Sequence, residues 1–522
     1  TRYMFVYVVL LGSFVAVRRN SHLCVDFLLH IMKPGFRRIF TIITSLAVIA
    51  FLVYLLPLSY NLALSTMNSM SPGLKLPMGY VYMAIPIGDL LMILGMIEVV
   101  LRKITNTEEV LSILGIPVCF SLGIATIAAL VLGDLPTVVL AQKTFTGMDS
   151  VALLAIPFFM LAGNLMSGSC SKKLIAVADA FFGWITGSLA VVTVLASAIF
   201  AAISGSGVAT VSAIGGILIP SMKKEGYEGG FAAAIASVAS ILGPIIPPSI
   251  FLIVYGNATE TSIGALFMGA MIPGVGLAVL LAIYAVLYAK KRGLKGHKMK
   301  PVKEIVHVTL DGIWAMFMPI LVLGGIFLGI FTATEAAAVT CAYTLFIGLF
   351  IYKDIKLKNI IDMCADAGIT AATILILVGF AKGASWVVVT SGLPQAILNG
   401  FLAITDSKII ILLLINVLLL IVGMIMEANA AIVMLAPILV PLVSALGMTT
   451  VHFGVLMALN LCIGLVTPPV GTCILLGNAI SKERLSDTLK FALPMIAICI
   501  VWLMFITYVP ATVEWLPSLI KS

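Results

Sequence analysis

The sequence predicts an all-α, membrane-spanning bundle, and three observations carry that expectation. Of its 522 residues 61% are hydrophobic and only 10% are charged, against about a quarter charged in soluble domains. Apolar runs long enough to cross hydrocarbon recur along the whole chain, at 39–60, 151–166, 265–288 and 491–508 among others. The runs are continuous, whereas a transmembrane β-barrel needs alternating segments of about ten residues. A polytopic bundle of about a dozen helices follows.

Composition also excludes function classes. The net charge of +8 is read as positively charged cytoplasmic loops, since Lys and Arg are retained on that side, and not as a nucleic-acid surface. The eight cysteines, Cys24, Cys119, Cys170, Cys341, Cys364, Cys462, Cys473 and Cys499, are scattered mostly within apolar segments without CxxC or Cys/His spacing, and read as packing residues. His22, His30, His297, His307 and His452 show no ligand spacing either, so nothing suggests a metal centre. The chain has no GxxxxGK[ST] loop, no GxSxG elbow on a soluble strand and no nucleotide-binding domain; neither ATP hydrolysis nor enzyme chemistry has a seat, and no organic cofactor is expected. No cleavable signal precedes the first apolar stretch and the chain opens at Thr1, so its first helix is expected to be incomplete.

Residues 1–105 hold three apolar segments punctuated by Arg18-Arg19, Arg37-Arg38 and Arg102-Lys103, with a break at Ser71-Pro72-Gly73. A polar joint, ITNTEEV at 104–110, separates this small module from 111–522, and residues are expected to be missing there. The larger part contains a repeat, about 150–260 and 371–481, at an offset of 221 residues. Pro220 meets Pro441, Gly226 meets Gly447, Gly243 meets Gly464, Pro247-Pro248 meets Pro468-Pro469, and Gly256-Asn257-Ala258 meets Gly477-Asn478-Ala479, with no gap. Helix breakers are where the repeats of a transporter should agree. Basic loops at Lys223-Lys224, 290–300, 353–358 and Lys482 to Arg484 are assigned to the cytoplasm. Four spans between the copies, about 262–289, 314–331, 334–352 and 358–380, then make the repeat inverted.

Each copy has two places where an apolar helix cannot continue. The first is Ser204-Gly205-Ser206-Gly207, mirrored by Ile425-Met426-Glu427-Ala428 and followed by Asn429. Its arms, 188–203 with 208–222 and 408–424 with 431–446, are short for a span and a return, which predicts two re-entrant hairpins with polar tips near the midplane. The second is Gly243-Pro244-Ile245-Ile246-Pro247-Pro248-Ser249, mirrored by Gly464-Leu465-Val466-Thr467-Pro468-Pro469-Val470. Proline removes amide donors and glycine lets the backbone open, so two broken helices free carbonyls inside the membrane. Such carbonyls with nearby hydroxyls suit sodium, and helix N-termini at the same breaks suit a carboxylate. Kinking of packed helices is the bland alternative for a lone proline; a double proline after glycine in both copies argues against it. Glu427, an intramembrane carboxylate costing ~2.5–3.5 kcal/mol to insert, binds an ion, relays a proton, contacts substrate or caps its own hairpin. Glu335, behind Thr332 at a helix start, reads as a cap, and Lys382 as a side chain snorkelling to the interface.

These motifs resemble the tripartite ATP-independent periplasmic (TRAP) transporters across nearly the whole chain. Val15-Ala16-Val17-Arg18-Arg19 with His22 and Asp26 looks like the small membrane subunit. Leu114-Gly115-Ile116-Pro117-Val118, Ile156-Pro157-Phe158-Phe159-Met160-Leu161-Ala162-Gly163, Ser204-Gly205-Ser206, Gly243 to Pro248, Thr334-Glu335-Ala336-Ala337-Ala338 and Thr467-Pro468-Pro469 look like the large one. The resemblance implies fused subunits in a bacterial inner membrane and a sodium-coupled, elevator-type importer that takes an organic acid anion from a periplasmic binding protein. Family substrates include C4-dicarboxylates and sialic acid, and fused subunits are familiar among sialic acid carriers. By position, one sodium site would use Ser204, Ser206, Gly243, Ile246 and Pro247, and the other Glu427, Gly464, Thr467 and Pro468. Substrate would lie between the tips, at Ser204, Ser206, Ser249, Glu427 and Asn429. Membrane lipids are the remaining expected partner. The rival readings are an ion channel, a proton-translocating subunit, which should string several intramembrane carboxylates or histidines together, and a carrier working without a binding protein.

Overall fold

The computed structural model describes residues 2–18, 34–71, 75–105, 118–405 and 407–519. These form helices and connecting turns, with one isolated bridge between Met70 and Pro77. The small module contributes α1 (Arg2–Arg18), α2 (Pro34–Ser65), α3 (Met78–Tyr82) and α4 (Ala84–Thr105). Next come α5 (Val118–Leu132), α6 (Val138–Met148), α7 (Ala155–Met166) and α8 (Ser169–Phe182). The first hairpin is α9 (Ser188–Ser204) and its return, α10 (Gly207–Thr210) running through a π-turn into α11 (Gly216–Lys224). The first broken helix is α12 (Gly229–Ala239) with α13 (Ile250–Thr259). Then follow α14 (Ile263–Arg292), α15 (Val302–Phe327), α16 (Ala333–Phe346), α17 (Leu357–Thr390) and α18 (Leu393–Ile404). The second copy runs through α19 (Lys408–Ile425) and α20 (Ala428–Ala445), the positions of the second expected hairpin, then the second broken helix, α21 (Thr450–Gly464) with α22 (Thr472–Ser481), and α23 (Leu485–Tyr508) and α24 (Ala511–Ser518) follow. Nine helices among the described residues are long and apolar enough to cross a membrane. Residues 19–26 of the small-module motif, with His22 and Cys24, and also His30, Pro72-Gly73, and the joint and motif residues at 106–117, lie outside the described residues.

The 221-residue offset holds element by element. The first helices of the two copies end at Ser204 and Ile425, the next segments run from Gly207 to Lys224 and from Ala428 to Ala445, and the broken helices open at Gly229 and Thr450. In every pair the numbers differ by 221. Both breaks carry a cis X-Pro bond, at Pro247-Pro248 and Pro468-Pro469, and the helices after them are 10 residues each. Four long helices, α14 to α17, lie between α13 and α19, the number that inverts the second copy.

Two boundaries differ from the sequence reading. The span expected at 314–331 is α15, which starts twelve residues earlier because Lys303, Glu304, His307 and Asp311 ride on a helical face; Asp311 pairs with Lys173 of α8 at 2.6 Å. The span expected to stop at 380 continues to Thr390, since Lys382 alone does not end a helix. The sequence reading also assigned neither α8 nor α18. Both are short amphipathic helices placed just before a hairpin, too polar on one face to register as apolar runs.

The chain divides into two compact units. The first comprises Thr1–Pro157, Ala365–Ile404 and Asn429–Leu442. Here α1 and α2 pack on α4, with Gly88 against the Leu10 side chain, and Phe51, Phe120 and Phe380 meet at ring distances of 5.4 to 6.4 Å. The small module is thereby joined to α5 and α17. Asp89 of α4 is a buried carboxylate that accepts from the Ser59 hydroxyl at 3.0 Å; within a span this is an expensive group retained with a named partner. The second unit comprises Phe158–Cys364, Thr405–Ala428 and Val443–Ser522. In it α12 packs on α22 and α23, α19 crosses α21, and α8 packs on α15. Phe231 stacks on Tyr288 at 3.6 Å with Phe491 edge-on to both.

The α19–α21 crossing is the tightest test of this packing, because a Cβ on Gly464 would overlap the Gly423 carbonyl, whereas one on Gly324 of α15 would meet nothing within 4 Å. Gly464→Ala is expected to lower stability by about 1–3 kcal/mol and Gly324→Ala to lower it not at all, as read by thermal unfolding of the purified protein.

Candidate functional site

The first hairpin turns in two residues. Gly205 ends α9 at φ 60°, and a Cβ there would come within 2.6 Å of the Pro248 carbonyl oxygen, so only glycine fits both the backbone angle and the contact. Ser206 then caps the returning helix, its hydroxyl accepting from the Ala209 amide at 3.4 Å. The tip is seated on the first helix break, backbone to backbone: a Cβ on Gly243 would stand 2.7 Å from the Ser206 carbonyl oxygen. Around this contact Ser204 Oγ lies 3.3 Å from Thr210 Oγ1, which donates to the Ser206 carbonyl at 2.8 Å. Two helices begin here, the return at Gly207 and α13 at Ile250, so two positive helix ends converge on one oxygen-rich spot.

Of the residues named from sequence for the first site, Ser204, Ser206 and Gly243 are thus brought together. Ile246 and Pro247 are buried in the same break. Ser249 is wholly buried, its hydroxyl donating to the Pro244 carbonyl and accepting from the Leu252 amide at 3.3 Å, so it braces the break and caps α13.

The second hairpin places Glu427 immediately before Ala428, the position Ser206 holds in the first copy. Its break lies open by comparison. Residues 243–249 are all buried, whereas Thr467 and Pro468 are half-exposed and Pro469 exposed. Gly464 rests on Gly423, and Thr467 Oγ1 donates to the Ile463 carbonyl at 2.6 Å. Asn429 is buried two residues into α20. Glu335 forms a capping box with Thr332, as its spacing predicts, and Lys382 is half-buried against Gly147.

Sequence reasoning missed three participants. Thr210 holds the first tip together but sits outside the polar quartet that marked it. Gly163 of α7 lets Ser204 approach, since a Cβ there would lie 3.3 Å from the Ser204 Cα. Asn460, one turn before Gly464, donates to the Asn416 carbonyl and side-chain oxygen at 3.0 and 2.9 Å, and its own Oδ1 has no hydrogen-bond partner among the described residues. Thr210 and Asn460 are signalled in the sequence only by polarity about one helical turn from a tip or a break, and Gly163 only as part of the 156–163 motif, which gave it no role at the tip. No group of three or more His, Cys, Asp or Glu side chains that could hold a metal occurs among the described residues.

Residues 109–512 match the family model described as tripartite ATP-independent periplasmic transporter, DctM component, and residues 1–106 match the DctQ component of the same transporters. The chain belongs to the TRAP transporter family. It carries matches to both membrane components and is a multi-pass permease, not an enzyme. Among similar proteins is the isethionate TRAP transporter permease protein DctMQ of Oleidesulfovibrio alaskensis, 36% identical over 98% of this chain and 86% of that protein. The C4-dicarboxylate TRAP transporter large permease protein DctM of Pseudomonas aeruginosa is 38% identical over 73% of this chain and 89% of its own length. The sialic acid TRAP transporter large permease protein SiaM of Vibrio cholerae is 35% identical over 78% and 95%. Among solved structures, the YdaH transporter of Alcanivorax borkumensis shares the fold at a TM-score of 0.53 and 15% identity, covering 91% of this chain and 99% of that one.

Replacing Thr210 by Val removes the donor to the Ser206 carbonyl while keeping shape. The TRAP permease variant is expected to lose about 0.5–1.5 kcal/mol, measured by thermal unfolding without added sodium.

Proposed function

We propose that this TRAP permease imports an organic acid anion in symport with sodium across a bacterial inner membrane, receiving it from a periplasmic binding protein. The observation that carries the reading is the seating of the Ser204 to Gly207 tip on the 243–249 break. Carbonyl and hydroxyl oxygens crowd together there without a charged side chain, which suits a hard monovalent cation held by an unwound helix. Ser204, Ser206 and Gly243 would contribute to one sodium site, Ile246 and Pro247 shaping its wall. Glu427, Gly464, Thr467 and Pro468 would form the other, where Asn460 Oδ1 offers a further acceptor one turn away. The paired helix ends at Gly207 and Ile250 favour an anion beside the cation, with Ser206, Glu427 and Asn429 as the polar groups nearest the tips in sequence. The first hairpin and the first broken helix would move as one body, an elevator, because the Ser204 to Gly207 tip is seated on the 243–249 break and neither can shift alone without exposing unpaired backbone.

The relatives named for isethionate, C4-dicarboxylate and sialic acid all carry organic acid anions, which supports that substrate class and leaves the choice within it to experiment. Proteoliposomes with the cognate binding protein are expected to take up one of these three solutes only when sodium is higher outside; uptake indifferent to both sodium and the binding protein would overturn the proposal. In the same assay Ser206→Ala should raise the half-saturating sodium concentration about tenfold, the factor that a lost interaction of ~1.4 kcal/mol imposes. Glu427→Gln separates its roles: a change in sodium dependence places the carboxylate on the ion, and a change in substrate KM alone places it on the solute.

A further inference from the structure

We propose that a groove beside the first helix break binds an anionic phospholipid, with one acyl chain in the groove and the headgroup on the lysines that end α14. The groove is a cavity of about 420 Å³ lined by apolar side chains, among them Val191 and Leu195 of α9, Val279, Ile283 and Leu287 of α14, and Ile246 of the break. Val279, Ile283 and Leu287 are each more than half exposed, so the groove opens sideways toward hydrocarbon and not into an aqueous path.

Its other end is positively charged. Residues 279, 283 and 287 form one stripe at four-residue spacing, and the next turn of that stripe carries Lys290 and Lys291, both exposed. Trp184, 53% exposed, directly precedes Ile185 of the lining and marks the headgroup level, where amphipathic rings settle. The segment after α14 folds over this end, with Gly296 against the carbonyls of Trp184 and Ile185 and the exposed Lys295 and Lys298 on either side. The acidic groups nearby are already engaged: Glu228 with Arg292 at 2.5 Å, Asp179 with Lys300 at 2.9 Å, and Glu225 with His297 at 3.0 Å. Lys290, Lys291, Lys295 and Lys298 make no ion pair among the described residues. An apolar slot ending in four uncompensated ammonium groups complements one apolar tail and one anionic head, and a zwitterionic lipid meets only half of that surface.

The site bears on transport through Ile246. That side chain floors the groove and packs against Gly274 of α14, so a bound chain braces the break on which the Ser206 tip rests. This consequence rests on the transport reading above; lipid binding itself does not.

The test is native mass spectrometry of the detergent-purified chain with added phosphatidylglycerol or phosphatidylcholine of identical acyl chains. Phosphatidylglycerol should be retained at about tenfold lower concentration. The double variant Lys290→Gln with Lys291→Gln should abolish that preference without loss of phosphatidylcholine adducts, and Ala282→Trp, which fills the groove, should remove both. Equal retention of the two lipids by the unaltered chain, or a preference that survives the lysine substitutions, overturns the proposal in favour of ordinary annular lipid. If Ala282→Trp fails to fold by thermal unfolding, the lysine variant, altered only at exposed positions, decides alone. Because the readout is binding, its failure leaves sodium-coupled uptake standing.

Discussion

Backbone amides and carbonyls that lose their helical partners inside hydrocarbon have no water to turn to, and each unpaired group costs several kcal/mol. This permease interrupts its helices four times within apolar sequence, and the surrounding structure is arranged around those interruptions. Gly205 lies on the Pro248 carbonyl, Gly243 on the Ser206 carbonyl and Gly464 on the Gly423 backbone. The first two contacts set the tip and the first break backbone to backbone, and the third brings the last turns of α19 and α21 into direct backbone contact. Glycine recurs at these points because a single Cβ would separate the two backbones and strand both.

The same constraint accounts for the polarity of the site. A tip that shields a break must itself end a helix, and a helix that restarts after a turn presents its positive end there. Seating the first tip on the first break therefore brings two N-terminal helix ends and several carbonyl and hydroxyl oxygens into one place without any ionised side chain. In the function proposed above, cation-binding and anion-attracting character would arise together from this backbone geometry, without an ionised side chain in a low-dielectric layer. The two copies are not equal in this respect: the first break is enclosed, while Thr467 and Pro468 remain half-exposed, and Glu427 adds a carboxylate where the first copy has Ser206.

Outside the repeat, packing is by ordinary means. In one unit the small module, α5 and part of α17 share an aromatic cluster. In the other, Asp311 of α15 pairs with Lys173 of α8, and Lys300 pairs with Asp179, while Lys290 and Lys291 at the end of α14 make no ion pair among the described residues. The groove along α14 reaches the first break at Ile246.

Much of this was legible in the amino-acid order, for a physical reason. Spanning helices must be apolar for about twenty residues, and departures from that rule stand out against the background; hence the membrane class, the 221-residue repeat and the residues Ser204, Ser206, Gly243, Glu427, Gly464 and Thr467 were found as interruptions. Amphipathic α8 and α18 were not found, because their apolar faces are diluted by the polar faces between them. Thr210, Gly163 and Asn460 were not found either, since a hydroxyl, a glycine or an amide within an apolar helix has no meaning until its neighbour is known. That the first tip rests on the first break, that Ser249 is spent on bracing Pro244, and that α9 and α14 leave an apolar slot between them depend on contacts that the order of residues does not spell out. Local sequence fixes where helices must stop; only packing decides what the stopped ends touch.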